Sequence, residues 1–207
     1  MKLYLVRHGE TEWNKEKRIQ GQTDNPLDRN GICQALESRK YFCRMNFADV
    51  YSSPLIRALE TAELIYPSGR NRIIVDDRLK EISYGTDEGM DLNAIDRTPS
   101  LRLYNYFHAP QYYNPPDSGE SIGQLKERCR SFYQMMITRY HDSENVLVSS
   151  HGAWIRGMIS VIEELPEKDF WNGKEQKNCS VTIIRSDGRK SCVVCGAIDP
   201  ADMRAMA

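Results

Sequence analysis

The 207-residue chain has no apolar run long enough to cross a bilayer as a helix. It has no surplus of either charge, since 28 Lys and Arg stand against 29 Asp and Glu for a formal net charge of −1. That balance argues against a general nucleic-acid binder, which carries a basic excess. With 40% hydrophobic residues, the chain also lacks the low hydrophobicity and high net charge of a disordered protein. The apolar stretch of Met1-Lys-Leu-Tyr-Leu-Val-Arg-His8 is too short for a secretory signal, so a cytoplasmic location is expected. No internal repeat, low-complexity tract or long linker occurs, and residues 1–207 are read as one domain with its own core. Neither nucleic acid nor membrane is expected as a partner. The sequence leaves a homo-oligomer open.

Cysteines are few and widely spread, at 33, 43, 129, 179, 192 and 195, which is no disulfide framework in a chain of this size. Cys192 and Cys195 form a Cys-x-x-Cys, but within a run that reads as a strand, where positions i and i+3 face opposite sides. A structural role is expected for them. The four histidines, at 8, 108, 141 and 151, lack a ligand spacing such as His-x-x-x-His, and no metal or other cofactor is expected.

What is present is an alternation of strands and helices. Apolar runs at 2–6, 48–51, 73–75 and 145–149 read as strands, and 180–185 and 191–195 as an edge hairpin around Ser186-Asp-Gly-Arg189. Helices are expected from Asp28 to about Met45, with Gly31 weakening the first turn, and after Ser53-Pro54 as N-cap and first helical residue. One or two short helices broken near Pro99 fill 90–107. Ser121 and Gln124 form a capping box opening a long helix to Tyr140, and another helix covers 153–163. The tail from Gly196 to Ala207 reads as a short helix over the site or a loose end. The pattern implies an α/β three-layer sandwich with a mostly parallel central sheet flanked by helices.

In such sheets ligands bind at the carboxyl ends of the strands. Three of these ends run into residues that suit phosphate: Arg7-His8-Gly9, Ser52-Ser53-Pro54 with Arg57 following, and Ser149-Ser150-His151-Gly152. Arginine offers paired donors that match phosphate oxygens. A neutral imidazole can attack phosphorus, and a second one can donate to the equatorial oxygens in the transition state. Gly9 and Gly152 let the backbone approach an anion closely.

The stretch Leu5-Val-Arg-His-Gly-Glu-Thr-Glu-Trp-Asn14 resembles the N-terminal signature of the histidine phosphatase superfamily, the phosphoglycerate mutase-like fold. The resemblance continues through Arg18-Ile-Gln-Gly21, Asn25-Pro-Leu27, Gly31 and Tyr51-Ser-Ser-Pro-Leu-Ile-Arg-Ala-Leu-Glu-Thr-Ala62. It resumes at Leu79-Lys-Glu81 with Gly85 and Glu88-Gly89, and at Ser150-His-Gly152 with Ile155-Arg156, and so spans residues 3–157. It implies His8 as the nucleophile that becomes phosphohistidine, with Arg7, Arg57 and His151 completing the phosphate pocket. It implies Glu81 as general acid and then base. Asn14 is implied on the phosphate side, and Gln20, Gly21 and Thr23 on the substrate side, with Gly152 beside the anion. One departure stands out: Asp87 precedes Glu88-Gly89 where many relatives carry tryptophan.

The resemblance covers phosphatases and mutases alike. The interval between Glu81 and His151 is short and holds Arg97 and Arg102 but no adjacent Arg pair, and Pro115-Pro-Asp-Ser-Gly-Glu-Ser121 looks like the corresponding segment of the phosphatases. The expectation is therefore a metal-independent phosphomonoester hydrolase acting on a small-molecule phosphate ester, with an insert at about 90–120 forming a substrate cap. The aromatics of Tyr104-Asn-Tyr-Phe-His108, with Tyr112 and Tyr113, are read first as packing for that insert and second as a lid; His141 reads as a surface residue. Three alternatives stay open: a phosphoglycerate mutase primed by 2,3-bisphosphoglycerate, a specialised phosphatase of a cobalamin-pathway nucleotide or sugar bisphosphate, and a catalytically silent phosphate-binding module.

Overall fold

The computed structural model describes residues 1–67 and 72–202. Six strands form one sheet: β1 (Lys2–Arg7), β2 (Asp49–Ser52), β3 (Ile73–Val75), β4 (Asn145–Ser150), β5 (Val181–Ser186) and β6 (Ser191–Ile198). Their order across the sheet is β3-β2-β4-β1-β5-β6. β1 to β4 run parallel, and β5 and β6 close one edge antiparallel. Side chains alternate across the pleat, which divides the core in two. Leu3, Leu5, Tyr51, Val146 and Val148 face one hydrophobic cluster, whereas Tyr4, Val6, Val50 and Leu147 face the other.

Helices cover both faces, giving the three-layer α/β sandwich. The first cluster is completed by α6 (Ile122–Arg139) and α7 (Gly152–Ile162), through residues such as Leu125, Phe132, Trp154 and Met158. The second is completed by α2 (Arg29–Phe42) and α3 (Ile56–Ile65), through Ala35, Phe42, Ala62 and Ile65. A one-turn helix, α1 (Glu12–Lys15), follows β1, and two short helices, α4 (Leu92–Arg97) and α5 (Arg102–His108), form the insert on either side of Pro99. The capping box at Ser121 and Gln124 is present. No helix among the described residues is long and apolar enough to cross a membrane.

Four local expectations need correction. The helix after β2 begins at Ile56 with Leu55 at its N-cap, and Ser53 Oγ accepts only a 3.3 Å bond from the Leu55 N–H, so Ser53-Pro54 is an entry turn. The helix from Asp28 stops at Phe42. Gly31 within it is required: a Cβ there would lie 2.1 Å from the Glu10 carbonyl oxygen, so the helix packs on the 9–10 backbone only because this residue has no side chain. β6 runs on to Ile198, which makes the first part of the tail strand; residues 203–207 lie outside the described residues. α1 has a sequence signal that the pattern reading passed over, the Thr11/Asn14 capping box. Cys192 is exposed, Cys195 half-buried, and both are free thiols.

The register places the strand ends together. Arg7 pairs with Ser150, and Ser52 with Ser149, so the carboxyl ends of β1, β4 and β2 form one rim.

Candidate active site

At this rim lies a cavity of about 410 Å³. Its wall includes Arg7, His8, Asn14, Gln20, Gly21 and Arg57, and also Glu81 and Gly152. His151 is not on the wall, but its ring centroid lies 5.2 Å from that of His8. Thr23 is not on the wall; its carbonyl accepts an Arg57 bond from below. Asn14 Oδ1 accepts from the Thr11 N–H and from Asn178 Nδ2, which ties it to the entry of α1 and to the segment before β5.

His8 directly follows β1 and is nearly fully buried. Its Nδ1 lies 2.7 Å from the Gly9 carbonyl oxygen, an atom that only accepts. The proton of the neutral ring therefore sits on Nδ1, and Nε2 keeps a lone pair. His151 is the N-cap residue of α7, with Nε2 2.8 Å from Ser53 Oγ. The Ser53 hydroxyl accepts from Leu55 N–H and has its own proton to give to Nε2, which leaves the ring proton of His151 on Nδ1. Burial, and after it the positive field of Arg57, holds both imidazoles well below their ordinary pKa. Arg7 adds to this at both rings.

The arginines are fixed from behind by backbone carbonyls. Arg7 Nη1 donates to Gln176 O at 2.5 Å. Arg57 Nη1 donates to Thr23 O at 2.8 Å and Nη2 to Gly21 O at 2.7 Å. Burial lowers the Arg57 pKa to about 10, against the opposing charges of Glu81, Asp24 and Glu88, and leaves it a cation at neutral pH. Of the buried polar atoms that lack a partner among the described residues, three are donors on the phosphate candidates: Arg7 Nε, Arg57 Nε and His151 Nδ1. Buried polar groups are normally paired. Unpaired donors on two arginines and a histidine around a neutral imidazole make a place for a multiply charged oxyanion.

Glu81 follows β3 and the turn Asp77–Leu79. Its Oε1 accepts from Trp154 N–H at 3.0 Å and Ile82 N–H at 3.0 Å, and its Oε2 from Ala153 N–H at 3.1 Å. The carboxyl group thus caps α7, whose own N-cap residue His151 makes no side-chain cap bond. Oε2 retains a lone pair, so it can carry or take a proton without leaving the helix.

The wall also includes Phe107 of the aromatic insert and Arg156 of the second histidine block, and three residues that the sequence did not single out, Leu92, Trp171 and Lys174. Phe107 and Trp171 stack at 5.6 Å, so part of the aromatic insert packs and also faces the cavity. Tyr106 is buried among Tyr84, Tyr113 and Trp171, whereas Tyr112 is exposed. His108 is not on the wall; its Nε2 pairs with Asp96 at 2.9 Å. Among the described residues no group of three or more His, Cys, Asp or Glu is arranged to hold a metal ion.

Comparison with known proteins identifies the family and the fold. The family model described as histidine phosphatase superfamily (branch 1) matches residues 3–197. A putative phosphoserine phosphatase 2 from Hydrogenobacter thermophilus is 29% identical over 193 residues, 93% of each chain. A probable phosphoglycerate mutase GpmB from Salmonella arizonae is 33% identical over 186 residues, 89% of this chain and 84% of that one. The solved structure of Bacillus stearothermophilus YhfR superposes with a TM-score of 0.87 at 33% identity, covering 95% of this chain and 96% of that one.

Proposed function

The chain belongs to branch 1 of the histidine phosphatase superfamily, and on that premise we propose that it is a phosphomonoester hydrolase acting through a phosphohistidine at His8. The observation that carries the reading is the trio of unpartnered buried donors, Arg7 Nε, Arg57 Nε and His151 Nδ1, around the neutral His8 ring. They fit the three equatorial oxygens of a phosphoryl group in flight.

In the first step, His8 Nε2 attacks phosphorus in line. The N–P bond forms, the bond to the ester oxygen breaks, and Glu81 gives its proton to the departing alkoxide. In the second step, Glu81 takes a proton from water as the water oxygen attacks phosphorus. The N–P bond breaks and inorganic phosphate leaves. Arg7, Arg57 and His151 hold the equatorial oxygens throughout, and the arginines supply the positive charge, so the scheme calls on no metal.

The substrate is a small phosphate ester, whose alcohol part occupies the outer cavity under the 90–120 insert. Leu92 and Phe107 come from that insert and support its role as a cap. Hydrolysis is preferred over mutation because Arg102 of the insert is turned to Asp87, at 3.7 Å, and neither it nor Arg97 lies on the wall. A second reading, mutase, is favoured by Arg156 and Lys174 on the outer wall, which suit a substrate with a second anionic group. Incubation with 3-phosphoglycerate and a bisphosphorylated primer separates the two. The hydrolase releases phosphate faster than it forms isomer; isomer appearing first contradicts it.

A further inference from the structure

Glu88 lies in the same loop as Glu81 but is not on the cavity wall. It forms no ion pair with the described residues, and its carboxylate accepts from neutral donors. Oε1 accepts from Gln22 N–H at 2.8 Å and Tyr84 N–H at 3.3 Å. Oε2 accepts from Thr23 N–H at 2.8 Å and from the Thr23 hydroxyl. Three of these four donors belong to one turn, residues 21–23, and the carbonyls of that turn hold Arg57: Gly21 O takes Nη2 and Thr23 O takes Nη1.

We propose that Glu88 is a positioning residue that fixes the 21–23 turn and, through its two carbonyls, aims the Arg57 guanidinium at the phosphate. With both Nη groups tied to these carbonyls, the unpartnered Nε–H is set by the turn. The fit leaves no slack. Gly21 has φ +55, and a Cβ on it would lie 2.1 Å from Glu88 Oε1, so the turn reaches the carboxylate only with glycine at this position. The turn also answers to the acid: Gln22 Nε2 donates to Glu81 O at 3.0 Å. One carboxylate thereby locks a phosphate arginine in register with the loop that carries Glu81, two groups far apart in sequence.

The inference rests on the reading of His8 and Arg57 as phosphate-handling residues. Its test is the affinity of the whole protein for inorganic phosphate, by calorimetric titration, in wild type, Glu88→Gln, Arg57→Ala and the double variant. Gln accepts at one oxygen only and turns an amide toward N–H donors. Positioning through Arg57 predicts that Glu88→Gln weakens phosphate about tenfold when Arg57 is present and less than about twofold when it is absent. Equal losses in both backgrounds overturn the proposal, as does a Glu88→Gln protein that binds phosphate within about twofold of wild type. If Glu88→Gln does not fold, Thr23→Val removes one of the four donors and enters the same cycle, with a smaller loss of about threefold expected only beside Arg57. Binding is read without turnover. A protein that binds phosphate through Arg57 yet cleaves no ester refutes the hydrolase reading and leaves this inference standing; a wild type that binds no phosphate refutes the anion site and the inference with it.

Discussion

The Glu81 carboxylate accepts the backbone N–H of Trp154 at 3.0 Å and so caps the helix that His151 opens. The proposed acid and the second histidine are thereby held by one helix end, and the charge of the carboxyl group meets the positive end of the helix dipole.

This joint role gives the first prediction. Removing the carboxylate in Glu81→Ala lowers kcat/KM on alkyl phosphates by about 10² to 10⁴-fold. The loss is much smaller on 4-nitrophenyl phosphate, whose leaving group departs without a proton. The same variant loses about 1 kcal/mol of stability, the usual cost of an empty N-cap. Equal losses of kcat/KM on both esters contradict the acid role.

The second prediction concerns pH. His8 and His151 have folded-state pKa values below the ordinary one, chiefly through burial. An unfolded histidine titrates near about pH 6.5. Below that pH the unfolded chain binds more protons than the folded one, so this contribution to stability is full above about pH 6.5 and lost as the pH falls. Thermal midpoints in phosphate-free buffer therefore drop between about pH 7 and about pH 5, and His151→Asn drops less than wild type over the same range. An identical slope in the variant contradicts the assignment.

The third prediction inverts a propensity rule. In a helix Gly→Ala normally stabilises by up to about 1 kcal/mol. At Gly31 the added Cβ meets the Glu10 carbonyl oxygen at 2.1 Å, so Gly31→Ala destabilises instead, by about 1 to 3 kcal/mol. A denaturant titration measures it; a raised midpoint contradicts the packing described.

Strand ends were readable because an apolar run followed at once by Arg-His-Gly or Ser-His-Gly carries its own signal, and a parallel sheet then brings such ends to one rim. Arg57 was readable because it falls in the first turn of the helix that follows such an end. Contacts between segments distant in sequence left no local trace. Glu88 belongs to the Glu-Gly pair that carries the resemblance, but nothing nearby in the sequence shows that its carboxylate accepts the Thr23 N–H, 65 positions away. Ser53 looked like a helix cap, and its partner proved to be His151, 98 positions away. The wall residues Trp171, Lys174 and Gln176 sit in an irregular segment with no periodicity to read. The 2.1 Å approach at Gly31 could not be weighed against helix propensity before the 9–10 backbone was placed.

The central claim is that His8 carries the phosphoryl group. Rapid mixing with a phosphate ester, a quench in alkali that preserves phosphohistidine, and peptide mass analysis test it directly. The account predicts a phosphorylated peptide containing His8, formed at least as fast as steady-state turnover and missing in His8→Ala together with activity. Turnover with no labelled His8, or full activity in His8→Ala, would contradict it.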